Sequence, residues 1–100
     1  MARWSHDELI ILIAAYHRYG LKELNRGKPV CRALANSFGR SESAIERQAR
    51  NLDDFVRRKG IQHGGRLLTQ LWKRYRRHLP ELYRKANEVI KRNHWNLKKF

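Results

Sequence analysis

Polar and charged side chains cluster between residues 42 and 51, at spacings that place them on one face of a helix. Arginine can donate two hydrogen bonds to one guanine, and glutamate can accept one from the amino group of cytosine. Glutamate could also act as a clamp that orients the arginines. The alternative is a solvated helix face with i,i+4 charge pairs. The candidate base-contacting residues are Glu42, Ser43, Glu46, Arg47 and Arg50, with Asn51 at the margin.

A second group of side chains is basic and spreads around its helices. The stretch WKRYRRH at 72–78 carries four cations on several faces, which suits sequence-independent contact with phosphates. Trp72 and Tyr75 are at helical spacing, so core packing is favoured over stacking on bases. The stretch RRKG at 57–60 could contact phosphate, or its cations could equally interact with the dipole at the C-terminal end of their helix. The candidate phosphate contacts are Arg40, Arg57, Arg58, Lys59, Lys73, Arg74, Arg76, Arg77, Arg84, Lys85, Lys91 and Arg92.

The net charge of the 100-residue chain is its unusual property. Lys and Arg number 23 against 9 Asp and Glu, a net charge of +14. Residues 1–56 contribute only +2 of this, and residues 57–100 contribute +12. A polyanion would relieve the self-repulsion, and nucleic acid also gains from counterion release. Alternatively, the charge serves only to make the protein highly soluble. Binding to an anionic membrane surface is the least favoured explanation of the charge.

Other classes of site are missing from the sequence. Cys31 stands alone and the histidines are scattered, so we expect neither a disulfide nor a metal site, and no cofactor. There is no nucleophile–base motif and no glycine-rich phosphate loop, so we expect no enzyme. The apolar run at 9–16 is too short to span a bilayer and lacks signal-peptide features. We expect an intracellular protein.

Helical periodicity positions these candidates. The sequence predicts an all-α fold, a compact bundle of four to five short helices within one domain, 1–100. The first helix opens on a capping box formed by Ser5 and Glu8, and its expected buried stripe is Leu9, Leu12, Ile13, Tyr16 and Tyr19. The predicted helices span about 5–19, 29–38, 42–57, 66–78 and 80–94.

The segment at 31–50 fits a helix-turn-helix. Ala35 is small where two helices would cross, and Gly39 suits the left-handed backbone of a sharp turn. Leu34 and Ile45 would enter the core from opposite helices, and either Ser41 or Ser43 would cap the second one. Gln48 departs from the pattern, because an apolar residue is usual there. A helix corner that serves only packing is the alternative.

Two stretches resemble a known family. RWSHDELIILIAAYHRYG is similar to the first helix of Myb/SANT-like and related prokaryotic helix-turn-helix modules. LANSFGRSESAIERQARNLDDF, followed by GGRLLTQLWKRY, resembles DNA-binding regions that precede HNH-type or restriction-like endonuclease domains. The resemblance implies DNA contacts from Ser41, Ser43, Arg47 and Arg50. We expect no nuclease domain after residue 100, so the resemblance implies a small regulator or accessory factor of a phage or mobile element.

These observations favour a double-stranded DNA-binding protein, used in transcription regulation or as an accessory factor. In this hypothesis helix 42–57 enters the major groove and basic helices 66–94 contact phosphates. A module that binds an acidic protein partner, or an RNA-binding protein, is the alternative. A homodimer stays open: a palindromic target would need one, and Phe100 or the last helix could supply the contact.

Overall fold

The computed structural model describes residues 3–58 and 65–100. Its helices follow the predicted order. They are α1 (His6–Tyr19), a 3₁₀ helix (Leu21–Leu24), α2 (Pro29–Phe38), α3 (Glu42–Arg58), α4 (Arg66–Tyr75) and α5 (Leu79–Asn93). The described residues contain no strand, so the all-α prediction is confirmed. Lys59, a predicted phosphate contact, lies outside the described residues.

Helix α1 is the central element, because it is apolar on every side over most of its length. Residues 8–15 are all buried, including Ile10, Ile11, Ala14 and Ala15, which the predicted stripe left out. A helix that is apolar on all sides can bury these side chains only when other elements surround it. Tyr19, placed in that stripe, is 36% exposed. The predicted capping box is confirmed, since Ser5 Oγ accepts from Glu8 N at 3.1 Å and Ser5 N donates to Glu8 Oε1 at 2.8 Å.

The remaining helices form a ring around α1. Helix α2 packs on α3, α3 on α4, and α4 on α5, and each of these four helices also contacts α1. Residues 95–100, named here the C-terminal strap, close the ring between α5 and α2. Trp95 packs on Phe38 of α2 at 4.9 Å, and Phe100 stacks on Tyr83 of α5 at 5.8 Å between ring centroids.

Two helix ends differ from the sequence prediction. Helix α4 ends at Tyr75, three residues before the expected end, because residues 76–78 form the turn into α5, where Pro80 stands in the first turn. Helix α5 ends at Asn93, one residue before the expected end, because His94 has a left-handed backbone at φ 56°. None of the helices in the described residues is long and apolar enough to cross a membrane.

Candidate nucleic-acid interface

The turn between α2 and α3 sets the direction of α3. Gly39 has the left-handed conformation that the sequence predicted, with φ 67° and ψ 34°, and only residues 39–41 separate the two helices. Arg40 N donates to the carbonyl of Ala35 at 3.0 Å. Of the two possible caps, Ser41 is the one used, since its Oγ accepts from Ala44 N at 3.1 Å. Leu34 and Ile45 are buried as expected, so the corner is tightly packed.

Arg40 belongs to the scaffold of this turn. Its Nε lies 2.9 Å from Glu8 Oε2, and one Nη donates to Glu8 Oε1 at 3.1 Å and to the carbonyl of Arg3 at 2.9 Å. The guanidinium also lies 4.5 Å from the centroid of the Trp4 ring, and the side chain is only 15% exposed. These contacts occupy its donors, so Arg40 is corrected from a phosphate contact to a structural residue.

Glu42 and Glu46 hold the loop that leads from the 3₁₀ helix into α2. Glu42 Oε1 accepts from Gly27 N at 2.8 Å, and Glu46 Oε2 accepts from Arg26 N at 3.0 Å. The hydrogen bond from the Arg26 backbone lowers the pKa of Glu46, which therefore stays ionised. Both carboxylates thus position this loop against α3. Their role as base contacts stays a prediction.

A shallow cleft on the outer side of α3 collects the remaining candidates. It has a volume of about 360 Å³. Arg26 belongs to this group although it comes from the loop, where its Nη1 lies 3.5 Å from Ser43 Oγ. Sequence reasoning missed Arg26, because nothing local places it beside a helix that begins sixteen residues later. The lining residues are Arg26, Ser43, Glu46, Arg47, Arg50 and Asn51.

The three arginines of this cleft differ in how strongly the protein holds them. Arg26 Nε lies 3.3 Å from Glu46 Oε1, and Arg50 lies 3.9 Å from the same carboxylate while 63% of its side chain is exposed. Arg47 is exposed and forms no ion pair with the described residues. Exposed ion pairs contribute little free energy, so a stronger acceptor can replace them. The cleft therefore offers three guanidinium groups to a ligand.

Towards its C-terminal end, α3 is fastened to α1. Tyr16 Oη donates to Asp53 Oδ1 at 2.7 Å, and burial together with this carboxylate raises the pKa of Tyr16 to about 12. Arg57 Nε bonds both oxygens of Asp53, at 2.9 and 3.0 Å, although 73% of the Arg57 side chain is exposed. Arg58 is exposed, and Asp54 lies on the outer face beside it. The continuous basic part of α3 therefore ends near Arg50.

Helix α4 and the turn after it, residues 76–78, present cations next to α3, named here the α4 cations. Lys73, Arg76 and Arg77 are exposed and form no ion pair within the described part of the chain. Arg74 lies 3.9 Å from Glu81 and packs over the Tyr75 ring. Tyr75 is buried and Trp72 stacks on His17 at 4.6 Å, so the aromatic residues belong to the core, as predicted. The α4 cations are therefore available to anions.

The basic residues of α5 are in a different position. Arg92 bonds Asp7 of α1 at 2.7 Å, and Arg84 and Lys85 lie 3.1 and 4.0 Å from Glu88. Lys91 is exposed. Helix α5 packs on α1 and α4 but contacts neither α2 nor α3 among the described helices. The α5 cations therefore lie apart from those of α3. The sequence hypothesis had assigned both groups to the same DNA duplex.

The described residues contain no candidate metal site. Their His, Cys, Asp and Glu side chains include no group of three that could hold a metal ion. Comparison with protein-family models, with curated proteins and with solved structures finds no match to this chain.

Proposed function

We propose that this protein binds double-stranded DNA, with the N-terminal half of α3 in the major groove. The observation that carries the proposal is the cleft in which Arg26, Arg47 and Arg50 converge on the outer face of α3. Guanidinium groups on the first turns of a helix can reach guanine O6 and N7, and Ser43 and Asn51 add shorter donors and acceptors. The tight turn at Gly39 and the Arg40–Glu8 pair support the proposal because they fix the direction of α3.

The exposed cations of α4 would serve the same duplex. Helix α4 is the neighbour of α3 in the ring, so Lys73, Arg76 and Arg77 can contact phosphates beside the groove that α3 occupies. Such contacts raise affinity for every sequence and carry no sequence information. We propose that α3 discriminates between sequences and α4 supplies affinity. Regulation of transcription, or an accessory role on DNA, is the use that fits. The resemblance to Myb/SANT-like modules points to the same activity.

A mobility-shift titration over a range of salt concentrations tests the proposal. The wild-type protein should bind duplexes selected from random sequence, with an affinity that falls steeply as salt rises. Replacing both Arg47 and Arg50 by Ala should reduce the preference for the selected site by about 10-fold or more, since each base contact is worth about 1–3 kcal/mol. Replacing Arg76 and Arg77 should weaken all sequences and lower the salt slope by about one per lost contact.

The matched control is Lys98→Ala, which removes one exposed charge from the strap and should leave binding unchanged. Absence of salt-dependent binding to duplex DNA would contradict the proposal. Preference for RNA in competition, or a complex with an acidic protein that survives salt high enough to strip DNA, would replace it with one of the alternative functions.

A further inference from the structure

A second basic surface lies on the outside of α5. A trough of about 970 Å³ runs between α5 and the C-terminal strap, and Arg84, Lys91 and Lys99 line it. Arg84 and Lys91 are seven residues apart, about 10 Å along the helix axis. At 3.4 Å of rise per phosphate on one strand, this distance covers about three nucleotides. The spacing suits two phosphates that are about three nucleotides apart on a nucleic-acid backbone.

The ring of helices places this trough away from α3. Between α3 and α5 stand α4 on one side and α2 with the strap on the other. Packed helices have axes about 8–10 Å apart, so the axes of α3 and α5 are about 15–20 Å apart across α1. Their outer faces point in divergent directions. A straight duplex against α3 can pass α2 and α4, but it cannot reach the trough.

One acidic residue, Glu88, also lines the trough. Glu88 Oε1 lies 3.1 Å from Arg84, and the two side chains are 50% and 65% exposed. An exposed i,i+4 pair of this kind contributes little free energy. A phosphate group can therefore take Arg84 from Glu88 at small cost. Asn87 is committed to the strap, since it bonds the backbone of Phe100 in both directions, at 2.7 and 3.1 Å.

We propose that the trough binds the phosphate backbone of a second duplex, so that one protein molecule bridges two DNA segments. The inference rests on the proposed function for the α3 side and adds a sequence-independent site behind it. Residues 79–100 carry six Lys or Arg against two Glu, a net charge of +4 on the side of the ring that faces away from α3. A second duplex accounts for this charge.

A capture experiment with two duplexes tests the bridge. One duplex carrying the selected site is fixed to beads, and a second, fluorescent duplex of unrelated sequence is supplied in solution with the protein. Wild-type protein should retain the second duplex on the beads in a salt-dependent manner. The variant Arg84→Ala/Lys91→Ala/Lys99→Ala should retain about 10-fold less of the second duplex on the beads. Its affinity for one short duplex, measured by mobility shift, should stay within about two-fold of wild type. Lys98→Ala is the control, and circular dichroism melting confirms folding.

The outcomes are distinct. If the triple variant still captures the second duplex, the trough does not bind it and the inference fails. If the variant loses affinity for a single duplex to the same degree as capture, both surfaces contact one duplex and the inference is overturned. If wild-type protein sediments as a dimer without DNA and the triple variant as a monomer, the trough is a protein interface, which also overturns it. Failure of the proposed function appears separately, as no effect of Arg47→Ala/Arg50→Ala on site preference.

Discussion

The guanidinium group of Arg40 and the carboxylate of Glu8 form a two-point contact, with N–O distances of 2.9 and 3.1 Å. Glu8 lies in the first turn of α1, and Arg40 lies in the turn that precedes α3. One ion pair thus joins the cap of the central helix to the segment that aims the candidate recognition helix. Burial alone would raise the pKa of Glu8, but the bonds from Arg40 and from Ser5 outweigh it and lower the pKa.

Glu8→Gln should destabilise the protein and change its response to acid. The variant keeps an acceptor for Ser5 N but loses the charge that pairs with Arg40, so we expect the free energy of unfolding to fall by about 1.5–3 kcal/mol at pH 7. Because the folded pKa is below the ordinary value of 4.5, the contribution of Glu8 is present above that pH and is lost as the pH falls through the folded pKa. Urea unfolding from pH 7 to pH 3 measures both effects.

The control for Glu8 is Glu23→Gln, which removes a carboxylate that makes no ion pair with the described residues. It should change the free energy of unfolding by less than about 0.5 kcal/mol. Equal effects of the two substitutions would show that the Arg40 contact does not stabilise the fold.

His17 predicts a second pH dependence, nearer neutrality. Its ring stacks on Trp72 at 4.6 Å, and its Nε2 is buried without a hydrogen-bond partner. Burial lowers the pKa of His17 below 6.5, so the unfolded chain takes up the proton first and stability decreases as the pH falls below about 6.5. His17→Phe keeps a flat ring and removes the unpaired nitrogen. We expect it to be more stable by about 1 kcal/mol at pH 7.

Thermal melts of wild type and His17→Phe at pH 7.5, 6.5 and 5.5 measure this dependence. The variant should lose less stability than wild type between the first and last pH. His6→Phe is the comparison, since His6 is exposed at the start of α1. A wild-type melt that does not respond to pH over this range would refute the prediction.

Gly39→Ala tests the turn through its backbone alone. A Cβ at this position would meet no atom within 4 Å, so any destabilisation must come from the left-handed φ of 67°. We expect a loss of about 1–2 kcal/mol in the free energy of unfolding. Gly39→Asn should cost less, because asparagine tolerates this conformation. If alanine and asparagine cost the same, backbone strain is not the reason for glycine here.

Cys31 should report the opening of the α2–α3 corner. The side chain is fully buried, and burial with the carboxylates of Glu42 and Glu46 raises its pKa to about 11. The reactive thiolate is therefore scarce in the native protein. Iodoacetamide at pH 7.5 should modify the protein very slowly without denaturant and rapidly in urea, as followed by mass spectrometry. Rapid modification of the native protein would mean that this corner is open.

The parts of the fold that follow from local sequence could be predicted. The capping box at Ser5, the turn at Gly39 and the burial of Leu34 with Ile45 depend on residues no more than eleven positions apart. The all-round burial of α1 could not be predicted, because the apolar run at 9–16 fits both a helix buried on one face and a helix surrounded by neighbours. Only the packing of the whole ring distinguishes them.

The candidate site was harder to predict than the fold. Arg47 and Arg50 follow from helical spacing, but Arg26 reaches them from a loop that is held by bonds from Arg26 N to Glu46 and from Gly27 N to Glu42. Those two acids look exposed when α3 is considered alone. Their partners, Arg26 and Gly27, are distant in sequence, and for the same reason Arg40 looks like a surface cation until Glu8 is placed beside it.

The central position of α1 has a mechanical consequence. Because α1 is shared by the packing of every other helix, the outer faces of α3 and α5 cannot shift independently without opening the common core. In the proposed bridge, this arrangement would make the protein a rigid spacer. Two DNA segments held on those faces would keep a constant separation and mutual angle, set by the fold itself and independent of the sequences bound.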